Sequence, residues 1–421
     1  MERNMKNKVP LNILPFISNI KEVPYINKHP LCDISSKLSV YIHFPFCVNS
    51  CLFCPIQTVQ YDSSLVEVYI KSLKKEIESC FKMIGRHKVD NIHFGGGTPS
   101  LMREEEIEDI LNIIGNYADI ENAEILLEAH PKFISDSMID YLSKLRNCTI
   151  NFGVQSLDDK ILSFMKRGCC GIEILRKIDF AKKRVDTIGI DYISGWPMSN
   201  YKMVAEDIKS IESMEPDHIS QYPLHLTPRL KHLYLRHDRE KVKTKTVQLS
   251  QYCESAFSNL GYCRYGIFYY QKHGFSHRYG RNQLDGGKWV GFGASAYSYI
   301  GDAVYVNSNI PEYVKGDFVS RQYALNDTDR LIWELLYHFR KINLNKKSFI
   351  LKYGDLIEHP MDKMIKIFLK KQYVFSKKDI SLTWNGIVNI RNVEKIINNI
   401  LGGKKKPYET HTAGGKSDHY T

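Results

Sequence analysis

No run of about 18 apolar residues, the length a helix needs to cross a bilayer, occurs in the 421-residue chain. The first twenty residues interrupt their short apolar stretch with Pro10, Asn12 and Pro15 and offer no small-residue cleavage site, so no secretory leader is read there. There is no internal repeat. Outside one triplet, Cys32, Cys80, Cys148, Cys169, Cys170, Cys253 and Cys263 never repeat a C-x2-C spacing, which argues against a second metal site and against a disulfide framework. These absences exclude a helical membrane span, a solenoid and a disulfide-stapled secreted domain. The expectation is a soluble, cytoplasmic protein with no membrane partner. Charge is unbalanced only mildly, at +11 with a pI near 8.9. That suits anionic small molecules and gives no reason to expect nucleic acid.

What is present is a triplet. Cys47, Cys51 and Cys54 form C-x3-C-x2-C in "YIHFPFCVNSCLFCPI", directly after an apolar run. Soft thiolates suit iron-sulfur clusters, and three of them on a four-iron cluster leave one iron open for a reactive ligand. A Cys3His zinc site using His43 would draw on the same thiols in a closed tetrahedral shell, and the triplet alone does not separate the two.

From 38 to about 225, short β-rich runs alternate with helical periodicity, the pattern of βα units around a parallel sheet. Six strands are expected, at 38–44, 91–94, 124–128, 149–154, 187–193 and 218–224, with helices at 65–83, 104–117 and 203–213 between them and another at 244–260. An aromatic- and glycine-rich stretch follows, and helical patterning resumes from 328 to 400, closing in a hairpin-like "ISLTWNGIVNI". The domain reading is therefore an N-terminal extension at 1–37, a βα core at 38–240, an extension of that core at 241–327, a helical C-terminal domain with a wing at 328–400, and a disordered tail at 401–421.

Polar residues cluster at the strand C-terminal ends, where parallel α/β folds build their sites. Gly95, Gly96 and Gly97 with Thr98 follow the second strand, where glycine lets backbone approach a ligand closely. Glu128 ends the third strand, where a carboxylate could grip ribose hydroxyls. Gln155, Arg167 and Asp191 follow or end the next strands and one helix. Each alone is explained by a cap or a surface ion pair; together they converge on the face that would hold the cysteine loop.

With these motifs in order, the chain resembles the radical S-adenosylmethionine superfamily, and within it the oxygen-independent coproporphyrinogen III oxidase-like family. The carriers are "YIHFPFC" with its cysteines, "GGGTPS", "LLEAHP", "GVQSLDD", "MKRG", "DYISGWP", "PDHISQYPL" and "LTWNGIVNIRNV", spanning roughly 38–400. The resemblance implies an α/β fold, a partial (β/α)6 radical barrel followed by a helical, winged-helix-like domain. It also implies that Cys47, Cys51 and Cys54 bind a [4Fe-4S] cluster whose open iron is chelated by S-adenosylmethionine. Gly96, Gly97 and Thr98 would then hold the methionine end, Glu128 the ribose and Arg167 the carboxylate. A second S-adenosylmethionine would sit by Tyr41, Gln155 and Asp191, with Tyr41 at the catalytic position. An electron donor such as flavodoxin or ferredoxin would serve the cluster.

The chain departs from the oxidase at one place. The oxidase carries a fourth cysteine two residues after the third, and here Pro55 and Ile56 follow Cys54. The favoured expectation is therefore methyl or methylene transfer to an sp2 carbon of a tetrapyrrole or heteroaromatic compound, using two S-adenosylmethionine molecules. Oxidative decarboxylation of coproporphyrinogen III and a haem chaperone are the alternatives. Arg229, Lys231, Arg236, Arg239 and Lys241 are candidates for tetrapyrrole carboxylates, and His130 and His225 for substrate or haem contact.

Overall fold

A computed structural model describes residues 21–23, 38–84, 86–225, 230, 239–342, 344–375 and 379–402. Most of the expected extension at 1–37 and of the tail at 401–421 lies outside them, as do Arg229, Lys231, Arg236 and the side chain of Arg239.

Six strands form where the β-rich runs stand: β1 (Leu38–Phe44), β2 (Val89–Gly96), β3 (Glu124–Ala129), β4 (Cys148–Gln155), β5 (Thr187–Ser194) and β6 (His218–Pro223). They pair parallel in chain order. Helices α1 (Ser63–Ile84), α2 (Glu104–Tyr117), α3 (Asp136–Leu142), α4 (Asp159–Phe164), α5 (Gly171–Lys182) and α6 (Tyr201–Met214) cross from each strand to the next, and α7 (Arg239–Asn259) follows β6. The alternation along the strands explains both faces. Val40, Ile42, Ile92, Phe94, Ile125, Leu127, Ile150, Phe152, Ile188, Ile190 and Ile219 are buried in the main core, joined by Tyr69, Ile70, Leu73, Ile77 and Phe81 from one face of α1. Each such side chain contributes about 1.5–3 kcal/mol by leaving water. The opposite parity is polar: Tyr41, His43, Asn91, His93, Glu128, Asn151, Asp191 and Ser220.

A seventh parallel strand, which the sequence reading did not anticipate, comes from the 241–327 segment. β7 (Trp289–Phe292) pairs with β1, Gly291 opposite Tyr41. It is only four residues long and is flanked by glycines, so its period could not be told from a loop. Antiparallel strands continue the sheet beyond β7 and beyond β6, giving thirteen strands among the described residues.

A second core gathers Trp289, Tyr299, Trp333, Leu336, Phe368, Ile387, Val393 and Ile397, joining β7 and its neighbour to the C-terminal helices. The expected hairpin at 380–390 is instead helical over Trp384–Val388 and again over Ile390–Leu401. Thr383 decides this locally: its hydroxyl accepts from Gly386 N at 3.0 Å and its own N–H donates to Tyr373 O at 2.8 Å, starting a helix where β-branched residues suggested a strand. A short antiparallel ladder joins Leu344–Asn345 to Asp379–Ile380.

Candidate active site at the barrel mouth

The cysteine loop leaves β1 at Pro45. Phe46–Cys47 pairs with Val59–Gln60, and Tyr61 N donates to Cys47 O at 2.9 Å, so the loop is pinned at its neck. Its far side is tied to the "MKRG" turn by Leu52 N to Met165 O at 3.2 Å. In that turn Lys166 (φ 58) and Gly168 (φ 74) both adopt left-handed backbone, which swings Arg167 back over the loop. Arg167 Nη1 lies 3.4 Å from Cys51 Sγ, and Nη2 donates to Gly153 O.

Opposite stands the glycine turn. A Cβ on Gly97 would lie 2.6 Å from Phe46 O, so only glycine lets the turn touch the cysteine loop. The amide of Gly97 is already used by Phe44 O at 2.8 Å and that of Gly96 by Glu128 Oε2 at 3.3 Å. These glycines therefore supply closeness rather than free donors. Thr98 Oγ1 is 3.2 Å from Cys47 Sγ. A register slip between Gly153 and Gln155, with Gln155 at φ 67, turns the Gln155 side chain toward the same space.

The result is a cavity of about 410 Å³, inside the range of cofactor sites. Cys47, Cys51, Cys54, Gly96, Gly97, Thr98, Glu128, Gln155, Arg167 and Asp191 all border it. Tyr41 does not. It lies deeper in the barrel, its hydroxyl 3.0 Å from His43 Nδ1 and its ring stacked on Tyr279 at 5.7 Å. His43 is thus committed to Tyr41 and is not turned to the thiols. Among the described residues no three His, Cys, Asp or Glu side chains converge tightly enough for a single metal ion. The donor set suits instead a group that spreads three thiolates over separate irons. The buried, unpartnered Nε of Arg167 in the same wall is a further donor that an anionic occupant would satisfy.

Burial pushes Cys54 up to about 11 and raises Cys47, against the weaker pull of Arg167, so metal binding here displaces protons. Asp191, hydrogen-bonded to Asn151 and Ser220, is pushed up to about 6, first by burial and then by the charge of Glu128. Its folded value exceeds an unfolded value of about 3.9, so its contribution to stability is full below that pH and is lost as pH rises through about 6. Asp191→Asn removes the dependence. The cofactor-free variant is expected to gain on the parent between pH 4 and 6, by about 1–2 kcal/mol after allowing for partial solvent access. Urea titrations at the two ends of that window would measure it, and an unchanged gap would refute it.

Several bordering or supporting residues were not singled out from the sequence. His93 Nε2 is 2.9 Å from Glu128 Oε1 and, with Gly96 N, sets that carboxylate's direction. Asn151 and Tyr222 border the cavity, and Ser220 holds Asp191. Their signal was strand parity: each sits an even number of residues from an inward-facing position on its own strand. Of the two singled-out histidines, both border the cavity. His130 is buried, its Nδ1 accepting from Lys132 N and burial pushing it down to about 2, whereas His225 is exposed at the mouth.

A profile of the Radical SAM superfamily matches residues 41–211. The heme chaperone HemW of Buchnera aphidicola (subsp. Acyrthosiphon pisum) is 25% identical over 354 residues, covering 81% of this chain and 93% of that protein. The oxygen-independent coproporphyrinogen III oxidase of Escherichia coli is 23% identical over 384 residues, covering 85% and 84%. The solved structure of coproporphyrinogen III oxidase (HemN) from Escherichia coli superposes with a TM-score of 0.72 at 21% identity, over 87% of this chain and 91% of that one, which shows the shared fold. With a cysteine triplet, glycine turn, acidic strand end and returning arginine around one cavity, residues 41–211 match the Radical SAM superfamily and the chain is similar to its HemN/HemW-like proteins, a likeness that implies a [4Fe-4S] cluster and S-adenosylmethionine.

Proposed function

We propose that this protein holds a [4Fe-4S] cluster on Cys47, Cys51 and Cys54, binds S-adenosylmethionine beside it, and handles a tetrapyrrole, haem in particular, at the cavity mouth. The observation that carries the reading is the cavity itself, where the three thiols share a wall with Glu128, Gln155, Arg167 and Asp191. Held by those three thiolates, a cluster would supply one-electron reducing chemistry toward S-adenosylmethionine. The chain's own residues orient and shield. Thr98 sits on Cys47, Arg167 places positive charge beside Cys51, and His93 aims Glu128 at the ribose. Phe53, Ile56, Phe133 and Leu224 give the mouth an apolar lining, and His225 adds an exposed imidazole suited to haem iron.

The haem-handling reading is supported by the HemW relatives and by Ile56, which stands where an oxidase would place its fourth cysteine. Oxidative decarboxylation is the second reading, supported by the oxidase relatives. Methyl transfer, which the sequence favoured, is named by none of the relatives described above and drops behind both. One anaerobic experiment separates the three. The cluster is reconstituted, and dithionite and S-adenosylmethionine are added with haem or coproporphyrinogen III. Retained haem without S-adenosylhomocysteine or loss of CO2 is expected. Deoxyadenosine with CO2 released from coproporphyrinogen would make the protein an oxidase, and deoxyadenosine together with S-adenosylhomocysteine would restore methyl transfer. A flavodoxin- or ferredoxin-type donor would replace dithionite in the cell.

A further inference from the structure

The aromatic- and glycine-rich stretch after α7 contributes no residue to the cavity lining described above, yet it reaches the strand from which the cysteine loop departs. β7 runs parallel beside β1 and ends in the Gly293–Ala294 turn. Tyr69 of α1, fully buried, donates its hydroxyl to His43 O at 2.5 Å, and the Tyr69 hydroxyl oxygen itself accepts from Ala294 N at 3.2 Å. His43 lies four residues before Cys47. The Tyr69 ring packs edge-on against Phe44 and Phe46, whose centroids lie 6.3 and 5.2 Å away on either side of Pro45.

Behind Tyr69 sits a buried carboxylate that the site does not use. Glu76, 5% exposed, accepts from Gly293 N at 2.8 Å, Asn307 Nδ2 at 2.7 Å and Tyr313 OH at 2.5 Å, and Tyr313 in turn packs on Tyr69 at 5.4 Å. Gly293 is confined to this place by two observations. Its φ is 102°, and a Cβ there would stand 2.4 Å from the Tyr69 hydroxyl and 2.5 Å from His43 O. Helix α1, the β7 turn and the base of the cysteine loop thus meet at one hydroxyl, with every polar atom in the contact paired.

We propose that Tyr69 is a positioning residue for the iron-sulfur ligand loop, acting through the His43 carbonyl and braced by Glu76 and the Gly293–Ala294 turn. The proposal rests on the reading of Cys47, Cys51 and Cys54 as cluster ligands. A hydroxyl that anchors a strand two peptide units before the loop begins limits how far the first thiolate can move, and outer-shell anchors of metal ligands govern retention more than they govern fold.

The test compares two hydroxyl deletions. Tyr69→Phe keeps the ring and removes the anchor. Tyr270→Phe removes an equally buried hydroxyl whose partner is Gln221 on β6, at 3.1 Å. Each variant is reconstituted anaerobically, and loss of cluster absorbance to an iron chelator is timed, with the electron paramagnetic resonance line of the reduced cluster recorded. Tyr69→Phe is expected to lose its cluster about tenfold faster than the parent with an altered line, and Tyr270→Phe at the parent's rate. Glu76→Gln, which keeps the size of the buried group, is expected to shift retention the same way by less, and it carries the test if Tyr69→Phe does not fold. Retention at the parent's rate in Tyr69→Phe and Glu76→Gln, or equal losses in Tyr69→Phe and Tyr270→Phe, would overturn the inference while leaving the cofactor reading intact. A parent that takes up no cluster would overturn both.

Discussion

Cys54→Ala is expected to give a folded protein whose iron content after reconstitution falls from about four per chain to near zero, with the brown absorbance lost. Cys54 is partly buried at the end of the loop, and its backbone N–H donates to Cys51 O at 3.3 Å, so the side chain can be shortened without dismantling the turn. The cost to the cofactor-free fold should be small, about 1 kcal/mol, because only one sulfur leaves a half-buried position. Cofactor retention depends on it far more steeply, since a cluster bound by two protein thiolates exposes two irons to solvent and chelators. Cys263→Ala, at an exposed cysteine, is the matched control and should behave as the parent. Iron and sulfide quantification decides the matter, and a Cys54→Ala protein with full iron content would remove Cys54 from the ligand set.

Glu128→Ala is expected to weaken S-adenosylmethionine binding about 30-fold, equivalent to about 2 kcal/mol, by calorimetry on the cluster-loaded protein. The carboxylate stands at the end of β3 between His93 Nε2 and Gly96 N, pre-aimed into the cavity before any ligand arrives. A hydrogen bond from a ribose hydroxyl to an ionised acceptor contributes about 1.5–3 kcal/mol, most of it lost on truncation. Glu128→Gln keeps an acceptor oxygen and gives up the charge, and an intermediate loss is the expected pattern. Unchanged affinity in both variants would place the ribose elsewhere in the cavity. The alanine variant should also destabilise the fold by about 1–3 kcal/mol, because the His93 nitrogen is left without its partner in a buried position.

Much of this was legible because the relevant signals are local. The β1 boundaries at Leu38 and Phe44 follow from the period-two alternation of residue type in LSVYIHF, and the helix over Glu104–Tyr117 from unbroken amphipathic spacing. Ten of the eleven residues to which the resemblance gives a role border one cavity. Tyr41 is the exception. Its inward parity is correct, but it enters the barrel about one layer below Glu128, and depth along the barrel axis depends on strand stagger, which no single strand encodes. The hairpin expected at 380–390 failed for a related reason. Val, Ile and Trp favour strands on average, yet the Thr383 cap and the packing of Trp384 and Ile387 into the second core outweigh that preference.

By itself, the order of residues determined the spacing of the three thiols, the six βα units and the polar parity of their inner face, since cysteine spacing and period-two alternation are properties of neighbours along the chain. Only the tertiary structure decided which distant groups serve those residues: His93 behind Glu128, Arg167 folded back onto Cys51, and Tyr69 with the Gly293 turn beneath the cysteine loop. Those contacts join segments separated by 26 to 225 residues. They exist because a sheet of side-by-side parallel strands brings strand ends together whatever their distance in the chain, a constraint that acts on the assembled sheet and leaves no periodic trace in the sequence.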